Sequence, residues 1–192
     1  MGLDSVLFNL INGLAGEVPP IDALMRLLVN DYFTPTALCL LTAALWFAGG
    51  TREERGRNQR AVLSIITAVL LANVLVKLCN LVYFRPRPFS VQEVNLLFYR
   101  PSDSSLPSNV AAVGFTFAGV AWQRHRWLGV VMAVMAGVFA FARIYCGVHY
   151  PLDVVAGGLI GGISAYVVGK GQGLLEPLMG AIIRVGRRLY LA

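Results

Sequence analysis

Three residues near the C-terminal third of the chain have types and spacing that suit phosphate chemistry: Arg143, His149 and Asp153, separated by six and four positions. Pro151 suits the first helical position, where its missing N–H costs nothing. His149 then stands just before a helix and Asp153 in its first turn. A carboxylate there can accept a hydrogen bond from one imidazole nitrogen and leave the other unprotonated, aimed at a substrate. Arg143 offers a planar fork of donors suited to phosphate oxygens.

Two further segments add anion-binding groups. Pro107-Ser108-Asn109 opens a helix. Free amides and the positive dipole end make such a terminus an anion site, and the Ser108 hydroxyl and Asn109 sit at its mouth. Arg85-Pro86-Arg87-Pro88 is a stiff extended run carrying two guanidinium groups. The expected phosphate cluster is therefore Arg85, Arg87, Arg143, Ser108 and Asn109, with His149 and Asp153 as the reacting pair. No His/Asp/Glu cluster has metal-ligand spacing, and the three cysteines are scattered, so neither a metal nor another cofactor is expected.

These residues must be positioned by membrane helices. Of 192 residues, 57% are apolar and 14% charged, with mean hydropathy +0.66. A soluble domain is about 45–50% apolar and about 25% charged. The composition excludes a soluble enzyme, a disordered chain and a nucleic-acid-binding domain, despite a net charge of +6. A spanning helix needs about 20 mostly apolar residues, and segments 32–49, 61–84, 108–122, 127–146 and 153–169 approach this. Segments 5–14 and 21–29, parted by Pro19-Pro20, read as short interfacial helices. Segment 174–191, with Arg184, Arg187 and Arg188, reads as an amphipathic surface helix. The expected fold is an all-α integral membrane bundle of about five transmembrane helices, with interfacial helices at the N-terminus and an amphipathic helix at the C-terminus. It forms one domain over 1–192.

Charge orients the bundle. Arg52, Arg55, Arg57, Arg60, Arg124, Arg126, Lys170 and the tail arginines fall on one side when spans alternate, and the positive-inside rule makes that side cytoplasmic. Connections 85–107 and 147–152 then face outward. Arg85, Arg87 and Arg100 stand on the wrong side for that rule, as an anionic ligand would require. Gly157, Gly158, Gly161 and Gly162 have small-xxx-small spacing and are expected to pack within the chain.

With these residues in view, the sequence resembles the type 2 phosphatidic acid phosphatase superfamily, which also includes vanadium haloperoxidases. Its motifs are Lys, six residues, Arg-Pro; Pro-Ser-Gly-His; and Ser-Arg, five residues, His, three residues, Asp. The resemblance covers about 73–162, and its third motif matches from Ala142 to Asp153 except for the leading Ser. It implies His149 as a nucleophile forming a phosphohistidine, Asp153 as its orienting partner, and Arg143 and Arg87 as phosphoryl ligands. Two positions depart from the pattern. Asn80 stands where the family has a phosphate-binding Lys; Lys77, one helical turn earlier, is the substitute considered. Val110 stands where the family has its general-acid His, and a valine cannot donate a proton.

A positioned general acid is worth about 10²–10⁴-fold. An alkoxide leaving group, nearly as basic as hydroxide, needs that proton. A phosphate leaving group, with a second pKa of about 6, can depart without it. Diphosphates should therefore suffer less than monophosphates. Two functions follow. One is a membrane lipid phosphatase acting on polyprenyl diphosphates or phosphatidyl-type phosphates at the outer face of a bacterial plasma membrane. The other is a binding or transport protein that keeps the pocket without turnover. Both have a lipid phosphate or diphosphate and the bilayer as partners, and neither involves nucleic acid. The sequence leaves the oligomeric state open. A structural membrane protein would not need the ordered triplet Arg143, His149, Asp153.

Overall fold

In the computed structural model, residues 2–189 are described; Met1 and residues 190–192, including the end of the expected tail helix, lie outside them. The described residues form nine helices and no strands: α1 Leu3–Asn12, α2 Pro19–Leu28, α3 Phe33–Phe47, α4 Arg52–Val82, α5 Pro88–Val91, α6 Asn109–Arg124, α7 Arg126–Tyr145, α8 Pro151–Lys170 and α9 Gln172–Arg188.

Local chemistry sets the boundaries that matter for the site. Helix α4 begins at a capping box: the Glu54 amide donates to Thr51 Oγ1, and Glu54 Oε2 accepts from the Thr51 amide. It ends at Val82, just before the Arg-Pro-Arg-Pro run, whose prolines lack the donors that helix continuation requires. Helix α6 starts after Pro107, with Ser108 as its N-cap. Helix α8 starts at Pro151, with Asp153 closing back on the Tyr150 amide.

Helix α6 lies at the centre, packed on α4, α7 and α8. Its contact with α8 depends on two of the glycines. A Cβ at Gly157 would lie 2.3 Å from the Ser108 carbonyl oxygen, and one at Gly161 2.4 Å from that of Ala112. Lipid supplies little hydrophobic drive between helices, so close backbone approach is what holds such a pair. Gly162 meets nothing and is free of this constraint. Leu38, Ile65, Phe117, Met132 and Val168 form the main buried apolar cluster.

The all-α membrane bundle is as expected. Among the described residues three helices, α4, α7 and α8, are by themselves long and apolar enough to cross a membrane; α2 and α3 qualify only together, across a 52° bend. Helix α6 has 16 residues, about 24 Å of rise against a hydrocarbon core of about 30 Å. It starts after the buried Ser108, beneath the segment that carries the site. Helices α1 and α2 cover that end. Phe8 packs with Ile144 and Tyr150, and Ala15 and Val29 with Ala142, Tyr145, Cys146 and Val148.

Candidate active site

His149 lies in the short connection between α7 and α8, where Gly147 has a φ of +83° that a side chain would strain. Asn12 of α1 braces this turn, donating to the carbonyls of Tyr145 (2.8 Å) and Asn95 (2.9 Å). The imidazole is 2% exposed. Its Nδ1 is 3.0 Å from the Ser105 carbonyl oxygen. A carbonyl only accepts, so Nδ1 carries the proton and Nε2 has the free lone pair. Arg87 Nη1 lies 3.3 Å from Nε2 and, as a guanidinium, can only donate to it.

The expected direct bond from Asp153 to His149 is absent: Asp153 Oδ2 stands 3.7 Å from Nδ1. That oxygen instead accepts from the Ser105 hydroxyl and, at 2.8 Å, from the Tyr150 amide. Asp153 thus fixes the segment whose carbonyl fixes His149. Burial holds the imidazole neutral, pulling its pKa down to about 4, with Arg87 and Arg143 in the same direction and Asp153 opposing.

Arg85 does not reach the pocket as a phosphate ligand. Its Nη1 donates to Asp153 Oδ1 at 2.6 Å and its Nη2 to Asp4 Oδ2 at 2.6 Å. Its guanidinium lies 4.3 Å from the centre of the Tyr150 ring. Asp4 also accepts from the Leu152 amide (2.9 Å), tying α1 to the start of α8. In the alternating Arg-Pro-Arg-Pro run, Arg85 and Arg87 take opposite tasks. Arg85 is held behind His149 and Asp153, and Arg87 lines the pocket.

That pocket, about 210 Å³, is lined by His149, Arg143, Arg87, Asn109, Val110 and Asn80, together with Asp31, Tyr99, Asp103 and others. It holds several water volumes of about 30 Å³ each, enough for a phosphate group. Arg143 and Arg87 enter it under carboxylates. Arg143 Nη1 donates to Asp31 Oδ1 and Arg87 Nη2 to Asp103 Oδ1, both at 2.8 Å. Arg143 Nε and Asn80 Oδ1 are buried with no hydrogen-bond partner among the described residues. A buried charged donor left unpaired is costly, so Arg143 Nε marks where an anionic ligand would bond; Asn80 Oδ1, an acceptor, would need a donor.

Ser108 is fully buried, and its hydroxyl accepts from the Ala111 amide at 3.4 Å; it caps α6 and does not line the pocket. Lys77 is exposed on α4, outside the pocket lining, and Asn80 lines the pocket in its place. Asp4, Asp31 and Tyr99 were not apparent from spacing. Tyr99 donates to Asp31 Oδ2 at 2.6 Å, and that bond together with burial raises its pKa. A larger cleft, about 840 Å³ between α1 and segment 88–100, contains none of the reacting groups.

Comparison with known proteins shows the family and the fold. The PAP2 superfamily model matches residues 61–173. Undecaprenyl-diphosphatase BcrC of Bacillus subtilis is 28% identical, covering 93% of this chain and 89% of its own. The putative undecaprenyl-diphosphatase YbjG of Escherichia coli is 32% identical, covering 89% and 85%. The crystal structure of Aquifex aeolicus LpxE superposes with a TM-score of 0.67 at 32% identity, over 88% of this chain and 96% of that one.

Proposed function

The chain belongs to the PAP2 superfamily, and from that premise we propose that it removes the terminal phosphate of a polyprenyl diphosphate through a phosphohistidine on His149. It is an integral-membrane lipid phosphatase. The diphosphate specificity, the covalent intermediate and the outward-facing site are our reading. The observation that carries it is the pairing of a proton-free His149 Nε2 with Arg87 and with the unpartnered Nε of Arg143, in one pocket.

Nε2 attacks the terminal phosphorus as its bond to the bridging oxygen breaks. The lipid leaves as a monophosphate, taking the bridging oxygen. Arg87, Arg143 and the first amides of α6 stabilise the charge on the transferred phosphoryl group. Water then attacks the phosphohistidine, giving inorganic phosphate and restoring Nε2. Val110 offers no proton to the leaving group. A phosphate leaving group, whose second pKa is about 6, departs without one; an alkoxide does not. The names of the bacterial relatives support the same substrate class.

Orientation follows from charge. Arg52, Arg55, Arg57, Arg124, Arg126, Lys170 and the arginines of α9 occupy the end opposite His149, which the positive-inside rule places in the cytoplasm. The pocket then opens at the outer face of a bacterial plasma membrane. The test is phosphate release in detergent from a matched polyprenyl diphosphate and monophosphate, with His149→Ala as control. The diphosphate should turn over at least about 10²-fold faster, and only with His149 present. Equal rates would contradict the specificity, and turnover by His149→Ala would contradict the mechanism.

A further inference from the structure

A second polar cavity, about 460 Å³, lies at the end of the bundle opposite the active site, between the start of α4 and the α6–α7 turn. Its walls include Arg57, Arg124, His125, Asn58, Gln123 and Glu54. The phosphatase reaction uses none of them.

The charge in this cavity is not cancelled. Glu54 is engaged in the helix cap, its Oε2 accepting from the Gly50 and Thr51 amides. Arg57 has a long 3.8 Å contact with Glu53, both side chains being mostly exposed, which is a weak pair. Arg124 is bonded to the neutral Gln172. The polar groups are also held in place. Asn58 Nδ2 donates to the Ala48 carbonyl at 3.0 Å, so its Oδ1 is the atom 2.8 Å from His125 Nε2. That oxygen only accepts, so Nε2 carries the proton in this bond. Gln123 is fixed in the same way by the Ala165 carbonyl, at 3.0 Å.

Helix α9 sets the depth. It exposes Leu174, Leu178, Ile182 and Val185 while burying Met179 and Ile183. A helix with such an exposed apolar stripe beside a basic one lies in the membrane interface. Its first residue, Gln172, holds Arg124 at the cavity wall. The cavity therefore sits at headgroup depth, where basic pockets between membrane helices suit anionic headgroups.

We infer that this cavity binds an anionic phosphate group, in the form of a phosphodiester headgroup from the adjacent leaflet or of free phosphate. Native mass spectrometry of the detergent-purified protein would test it with phosphatidylglycerol, phosphatidylcholine and inorganic phosphate as separate additions. Phosphatidylglycerol should be retained and phosphatidylcholine not. Arg57→Gln/Arg124→Gln should lower retention about tenfold to thirtyfold, whereas Arg143→Gln, in the active site, should not. Phosphatase activity of the double variant, read at the far end of the bundle, reports that it is folded. The exposed single change Arg57→Gln gives a milder variant with the same expected direction. Equal retention of inorganic phosphate, lost in the same variants, would assign free phosphate as the ligand. Undiminished binding in both variants, or phosphatidylcholine held as firmly as phosphatidylglycerol, would overturn the inference.

Discussion

His149 is oriented by the backbone of Ser105, whose carbonyl oxygen lies 3.0 Å from Nδ1, and not by direct contact with Asp153. The carboxylate acts one step removed. It takes the Ser105 hydroxyl, the Tyr150 amide and Arg85, and Arg85 in turn is held by Asp4. His149 thus stands at the end of a chain of contacts that begins in α1.

That chain predicts distinct kinetic signatures for two neighbouring arginines. Arg85→Gln and Asp4→Asn loosen the support of His149 without touching substrate, so kcat should fall while KM stays near the wild-type value. A lost hydrogen bond to a charged group is worth about 1.5–3 kcal/mol, or roughly 10–100-fold. Arg87→Gln removes a pocket donor and should raise KM as well as lower kcat. Steady-state kinetics on a diphosphate substrate read the difference. A KM effect in Arg85→Gln equal to that in Arg87→Gln would place Arg85 on the phosphate.

The burial of His149 sets the pH response. Its pKa lies near 4, below the ordinary 6.5, so the imidazole is neutral and nucleophilic above about pH 4 and loses its lone pair as the pH falls through that value. Chain labelled with ¹⁵N-histidine gives two imidazole signals, which His125→Gln assigns. The His149 resonance should remain in the neutral Nδ1–H form from pH 8 to about 5. A midpoint near 6.5 would mean an imidazole open to solvent.

Much of the site was legible because it is local in sequence. Arg143, His149 and Asp153 lie on one helix end, one turn and the next helix start, so their spacing alone brings them together. The rest depends on topology. Asp31 reaches Arg143 across 112 residues, Asp4 reaches Arg85 across 81, and Ser105 reaches Asp153 across 48. No periodicity reports such separations. The Arg-Pro-Arg-Pro run announced two cations without saying which would face the pocket. Lys77 stayed outside because it lies on the exposed side of α4, whereas Asn80, one turn on, faces inward. The apolar run of α6 was equally legible, although the helix has only 16 residues.

The α6–α8 contact carries a stability prediction. In Gly157→Ala the new methyl would sit 2.3 Å from the Ser108 carbonyl oxygen, forcing the start of α6 off α8 beside the pocket. Overpacking of this kind costs about 1–3 kcal/mol. The apparent Tm in detergent should fall and activity fall with it. Gly162→Ala, which meets no neighbour, should leave both unchanged. A neutral Gly157→Ala would mean that the two helices are not in close backbone contact.

The most direct test of the account is a rapid-quench experiment with a polyprenyl diphosphate labelled with ³²P on its terminal phosphate. The wild-type chain should show transient label that is stable to alkali and labile to acid, as a phosphohistidine is, and His149→Ala should show neither label nor turnover. Label persisting in His149→Ala, or steady phosphate release with no labelled protein at any time point, would contradict nucleophilic catalysis by His149.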